Sequence, residues 1–85
     1  MAYEVRIRRS ALHYLSKLEA NTYRRLAAAI EGLVEVPPLG DIRPLKGQAG
    51  VYRLRVGGFR VLFRVDHQEE VVFVDAIGSR GDVYK

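Results

Sequence analysis

The sequence contains no cysteine. That excludes a disulfide scaffold, a thiol nucleophile, a zinc knuckle and a cysteine-held cluster. No uncharged apolar run reaches 18 residues, so no helical membrane span is expected. The opening stretch from Met1 to Arg9 lacks the apolar segment and cleavage site of a signal peptide, and a cytosolic setting is the expectation. No glycine-rich phosphate loop precedes a helix, and no serine sits in a nucleophile elbow. Linkers, internal repeats and low-complexity stretches are also missing. What remains is 85 residues, 48% apolar and 28% charged, which reads as one small globular domain over 1–85. A domain of that size buries only about 60–65% of its unfolded surface, so a bound partner adds substantially to its stability.

Acidic side chains are scarce in one quarter of the chain. Residues 40–65 carry Arg43, Lys46, Arg53, Arg55, Arg60 and Arg64 against Asp41 alone. The last twenty residues are net acidic, and the whole chain carries +4. Eleven of the fourteen basic side chains are arginine, the residue suited to bidentate contact with phosphate or carboxylate.

Tyr3, Val5 and Ile7 alternate with Glu4, Arg6 and Arg8, the period of a half-buried strand. Ser10 is placed to cap a helix carrying Ala11, Leu12, Leu15 and Leu18. Asn21 is placed to cap a second, in which Tyr23, Leu26, Ala27, Ile30, Leu33 and Val34 form one apolar stripe. Pro37-Pro38 ends that helix, and a loop punctuated by glycine and proline runs to about Gly50.

The second half is more decisive. Tyr52, Leu54 and Val56 alternate with Arg53 and Arg55, then Gly57-Gly58, then Phe59, Val61, Phe63 and Val65 alternating with Arg60, Leu62 and Arg64. Gly-Gly between alternating runs is a two-residue hairpin signal. In that register Val56 faces Phe59, Leu54 faces Val61 and Tyr52 faces Phe63, while Arg55 lies directly across from Arg60 on the other side. A last strand, Val71 to Ile77, is almost continuously apolar and is expected inside the sheet. The fold class is α+β: an N-terminal strand, two helices, then a three-stranded antiparallel meander, with the helices on one face of the sheet.

Opposed like charges destabilise a sheet, so Arg55 across from Arg60 asks for a cause. A polyanion lying across the face is one; arginines splaying into water is the other. Arg80 and Tyr84 follow the last strand and either reach the same face or belong to a frayed terminus. His13 and His67 have no partner motif and no metal-ligand spacing, and Asp66, Glu69 and Glu70 read as a solvated turn.

The run from Val51 to Phe63, preceded by Leu45-Lys46-Gly47 and followed by Arg80-Gly81-Asp82-Val83-Tyr84, resembles the RelE/ParE toxin superfamily. The likeness spans essentially the whole chain, and the Arg followed by Val-Tyr looks like the RelE ribonucleases. The resemblance implies the toxin of a type II toxin–antitoxin system, which cleaves messenger RNA in the ribosomal A site by attack of the ribose 2′-OH. It implies no metal, no cofactor and no membrane. Arg60 would stabilise the phosphate in the transition state, Arg80 would serve the leaving oxygen, and Tyr84 would stack on or orient the substrate. Arg53, Arg55, Arg64 and Lys46 would bind phosphate. Arg53 and Arg55 stand where those ribonucleases carry lysines, and arginine is a poor proton acceptor. The general base is then unassigned, with Lys46, Tyr84 and Lys85 as candidates. The resemblance further implies a cognate antitoxin, the ribosome and mRNA as partners, and operator DNA only through the antitoxin complex. Two alternatives stay open: a non-nucleolytic, ParE-like inhibitor of DNA gyrase, and a basic nucleic-acid-binding module of the same fold.

Overall fold

In the computed structural model, which describes residues 3–79, five strands form one mixed sheet. Strand β1 is Glu4–Ile7, helix α1 Arg9–Ser16, and helix α2 Ala20–Glu31, closed by a 3₁₀ turn at Gly32–Val34. Strands β2 (Asp41–Pro44), β3 (Val51–Val56), β4 (Phe59–Asp66) and β5 (Val71–Ser79) follow. The spatial order is β1-β5-β4-β3-β2, with β1 parallel to β5 and the other neighbours antiparallel. The meander β3-β4-β5 is therefore as expected, but it is widened by a strand on each side.

The core follows from the period of two. Leu54, Val61, Phe63, Val72, Val74 and Ile77 project from one sheet face onto Ala11 and Leu15 of α1 and onto Leu26, Ile30 and Leu33 of α2 and its turn. Both helices cover this face. Tyr23, counted from sequence within the apolar stripe, lies at its margin and is 45% exposed.

Several local expectations are corrected. Ser10 does not cap α1; Arg8 stands at the cap, and Ser10 lies inside the first turn. The amide of Arg8 donates to the Val74 carbonyl (2.9 Å), while its own carbonyl accepts from Leu12 (2.9 Å). One residue thus closes the β1–β5 ladder and opens the helix, leaving no room for a later start. Asn21 is not the cap of α2 either. The Glu19 carboxylate accepts from the Thr22 amide (2.9 Å) and hydroxyl (3.0 Å), where an anion also meets the positive end of the helix. Asn21 instead accepts from Arg24 (2.6 Å). Helix α2 stops at Glu31, and the 3₁₀ turn ends before the prolines.

The stretch read as loop contains β2, which pairs Ile42 with Leu54 and Arg43 with Arg53. It is short, ends in Pro44 and lies at the sheet edge, where a missing N–H costs no ladder bond. Gly40 leads into it with φ 121°, and a Cβ there would meet Leu54 Cδ1 at 2.7 Å.

The hairpin register is the expected one at every pair, from Val56–Phe59 and Arg55–Arg60 to Tyr52–Phe63. Only Gly57 of the two turn glycines takes a left-handed φ, at 58°. Strand β5 extends past Ile77, with Gly78 opposite Arg60 and Ser79 opposite Phe59. A cut after Ile77 would remove ladder pairs as well as the tail. Between Leu62–Ala76 and Phe63–Val74 the pairing skips one residue, so Asp75 is a bulge.

Two outcomes follow for stability. Phe63 is 1% exposed and stacks on Tyr52 at 5.7 Å, so Phe63→Ala is expected to cost about 3–5 kcal/mol by chemical denaturation. Gly40→Ala combines a disallowed φ with a clash against a core leucine, and a loss of about 1–3 kcal/mol is expected in the same assay.

Candidate functional site

The face of the sheet turned away from the helices is where the arginines go. Pairing and alternation place Asp41 and Arg43 of β2, Arg53 and Arg55 of β3, and Arg60, Leu62 and Arg64 of β4 on it. Phe73, Ala76 and Gly78 of β5 and Glu4 and Arg6 of β1 complete it. Leu62 and Val71 are buried but stand apart from the main core. Leu62, flanked along β4 by Arg60 and Arg64 and faced by Arg53 across the ladder, is an apolar floor beneath arginine stems.

Six arginines share this face, and three of them have carboxylate partners. Arg6 pairs with Glu4 at 3.1 Å, Arg53 with Asp41 at 3.5 Å, and Arg64 with Asp75 at 2.7 Å. Arg43, Arg55 and Arg60 have no carboxylate partner among the described residues. These three lie together on β2, β3 and β4, with Arg55 and Arg60 directly opposed. Asp41, the ladder partner of Arg55, makes its ion pair with Arg53 instead, so Arg55 and Arg60 stand unpaired in the corner beside the Gly57-Gly58 turn.

The paired arginines differ from one another. Arg64 is held by two bonds, Nε to Oδ2 at 2.7 Å and Nη2 to Oδ1 at 3.1 Å. That hydrogen bonding raises its pKa above the usual guanidinium value, opposed by a smaller desolvation effect. Its guanidinium carbon lies 4.9 Å from the centre of the Phe73 ring. Arg64, expected as a free phosphate ligand, is thus already committed to Asp75. Arg53 is more loosely tied: its one bond to Asp41 is long, and its buried Nε has no acceptor. A donor left without a partner costs about 1–3 kcal/mol, which an anion reaching this guanidinium would help to recover.

The structure separates other candidates from this corner. Lys46 follows Leu45, whose amide donates to the Val51 carbonyl (2.8 Å), so it belongs to the far end of β3. Four residues separate Val51 from Arg55, or about 13 Å of strand. His13 is exposed on α1, among the helices of the other face. His67 lies in the β4–β5 turn, where its Nδ1 bonds the Tyr3 hydroxyl at 2.8 Å. Among the described residues no three His or carboxylate groups are grouped to hold a metal ion, and no helix is long and apolar enough to cross a membrane. Arg80, Tyr84 and Lys85 lie outside the described residues.

Sequence reasoning missed Arg43, because β2 was read as loop. The alternation Asp41-Ile42-Arg43-Pro44, with proline acceptable at an edge, was the available signal. It also missed Asp75, a carboxylate breaking the apolar run of β5.

Comparison with known proteins places the fold in a family. Residues 5–84 match the family model described as the ParE toxin of the type II toxin–antitoxin system parDE. Toxin RelG of Mycobacterium tuberculosis is 34% identical over 89 residues, covering 100% of this chain and 99% of that protein. A RelE1 toxin of Methanocaldococcus jannaschii is 32% identical over 88 residues, covering 100% and 98%. In the archaeal RelE–RelB complex from Pyrococcus horikoshii, one chain superposes with a TM-score of 0.80 at 29% identity, covering 96% of this chain and 99% of that one. The chain belongs to the RelE/ParE superfamily of type II toxin–antitoxin toxins, on its RelE-like side.

Proposed function

We propose that this toxin is a ribosome-dependent endoribonuclease that inhibits translation by cutting messenger RNA in the A site. The observation that carries the reading is the Arg55–Arg60 pair, opposed across the hairpin with no carboxylate between them among the described residues. Folding alone gains nothing from that juxtaposition, and a phosphodiester seated on it does.

The reaction asks for little more than cations and proton transfer. The ribose 2′-oxygen bonds to phosphorus as its proton passes to a base. The P–O5′ bond breaks as the departing oxygen takes a proton, leaving a 2′,3′-cyclic phosphate and a 5′-hydroxyl. Negative charge grows on the non-bridging oxygens of the phosphorane. Arg60, with Arg55 facing it, is positioned to neutralise that charge, and Arg43 and Arg53 hold the flanking backbone. Arg80 would serve the leaving oxygen. Tyr84 stacks on or orients the substrate. Lys46, in the β2–β3 connection beyond the far end of β3, would meet a more distant phosphate and not the 2′-OH. That leaves the base to Tyr84, Lys85 or the ribosomal substrate complex itself.

A cognate antitoxin is part of the same reading, because relatives of this chain are found as RelE–RelB and RelBE2 complexes. An acidic segment covering the Arg43–Arg55–Arg60 corner would neutralise it, and contact with operator DNA would run through the antitoxin. The gyrase-directed alternative draws on the ParE description of the matching family model.

Primer extension on translated messages, after brief expression of the toxin, tests the reading. Cuts at discrete positions within codons are expected; intact messages with a DNA-damage response would move the assignment to gyrase. In single-turnover assays on programmed ribosomes, Arg60→Ala is expected to slow cleavage by about 10²–10³-fold with little change in thermal midpoint. Unchanged cleavage in that variant removes Arg60 from the mechanism. Arg80→Ala and Tyr84→Ala are each expected to reduce cleavage, with a double mutant less than additive. Purified toxin on naked RNA is expected to be slow, because positioning is left to the ribosome.

A further inference from the structure

At the end of the open face away from Arg60 stands a group that neither folding nor phosphate binding fully uses. Arg64 lies four residues along β4 from Arg60, about 13 Å. Asp75 grips one edge of its guanidinium with two bonds, and Phe73 lies against it at 4.9 Å. The carboxylate cancels its charge, which makes it a poor phosphate ligand. The same two contacts fix the orientation of a flat, delocalised plate, and 48% of the side chain remains open to solvent. Clefts of about 220 and 360 Å³ flank it. Arg6 and Arg8 line the smaller together with Phe73 and Asp75, whereas Ala49 and Gly50 of the β2–β3 connection help line the larger.

We propose that the Arg64–Phe73 stack, locked by the bulge residue Asp75, is a base-stacking subsite for single-stranded RNA entering or leaving the Arg55–Arg60 corner. The proposal rests on the reading of that corner as the site of phosphate attack. Nucleobases stack on guanidinium planes and aromatic rings whatever their identity, because every base has a π-face. A 13 Å separation is three or four nucleotides of stacked strand at about 3.4 Å each. The base on Arg64 would therefore be a few residues from the scissile phosphate, on whichever side the strand runs. Arg8, without a carboxylate partner among the described residues, lines the smaller cleft and would take the adjacent phosphate. Division of labour follows from charge: the unpaired arginines hold phosphates, and the paired one holds a base.

The test uses the purified full chain and RNAs made uncleavable by 2′-O-methylation, with binding read by fluorescence anisotropy at one fixed salt concentration. An eight-nucleotide RNA is compared with a three-nucleotide one. Arg64→Lys keeps the charge but removes the plate, and about a tenfold loss is expected for the longer RNA with none for the shorter. An abasic scan of the longer RNA is expected to find a position whose removal weakens the wild type by a similar factor and leaves Arg64→Lys unaffected. Phe73→Leu, which keeps the apolar contact without the ring, is expected to behave like Arg64→Lys, and thermal midpoints report whether either variant has lost its fold. Equal binding of the longer RNA by wild type and both folded variants overturns the proposal. Arg60→Ala separates the two readings: it is expected to weaken both RNAs. If it weakens neither while the Arg64 effect persists, the phosphate-attack reading falls and the stacking subsite stands.

Discussion

The parity of the β3–β4 hairpin governs everything on this sheet. A two-residue turn, with Gly57 alone in the left-handed region, fixes Arg55 against Arg60 and Leu54 against Val61. Because side chains alternate with a strict period of two, a slip by one residue would drive the arginines into the helices and the core residues into water. Register is therefore enforced by the hydrophobic side, through Phe63, Val61 and Leu54 packed on Leu26, Ile30 and Leu33. The charged side inherits its geometry from that packing. The helices hold its spacing, and the Arg25 guanidinium of α2 reaches the Gly57 turn beside it.

Charge on the open face is managed by position. Repulsion among six arginines would be felt across the whole sheet, and three carboxylates relieve it at β1, β2 and the β5 bulge. Exposed pairs of this kind contribute little stability each, about 0–1 kcal/mol. Their larger effect is spatial: they leave Arg43, Arg55 and Arg60 unpaired in the corner by the turn. Asp75 owes its place to the bulge, since the extra residue in β5 reaches Arg64 without displacing Val74 or Ala76 from their faces.

Much of this was legible in the sequence where one pattern had one physical solution. The alternation through 52–65 and the intervening glycines specify the hairpin pair by pair, and with it the opposed arginines. The apolar run from Val71 specifies a strand inside the sheet, flanked by β1 and β4. What was not legible depended on partners distant in the chain. Strand β2 has four residues and a proline, and becomes a strand only because β3 offers it an edge. The caps went to Arg8 and Glu19, because a ladder bond to Val74 and a reaching carboxylate outcompeted the shorter Ser10 and Asn21. Neutralisation of Arg64 required knowing that an odd residue in β5 turns toward β4.

Strand β1 carries a consequence for timing. It lies at the sheet edge, and its pairing partner is β5, with Glu4 matched to Val71 across almost the whole chain. Such distant pairing makes folding slow compared with local structure of the same size. A nascent chain can close the hairpin early, but β1 has no strand to join until residues 71–79 have emerged. Gly78, the ladder partner of Arg60, arrives in that same final segment. The strand that backs Arg60 is thus the last part of the sheet to be made.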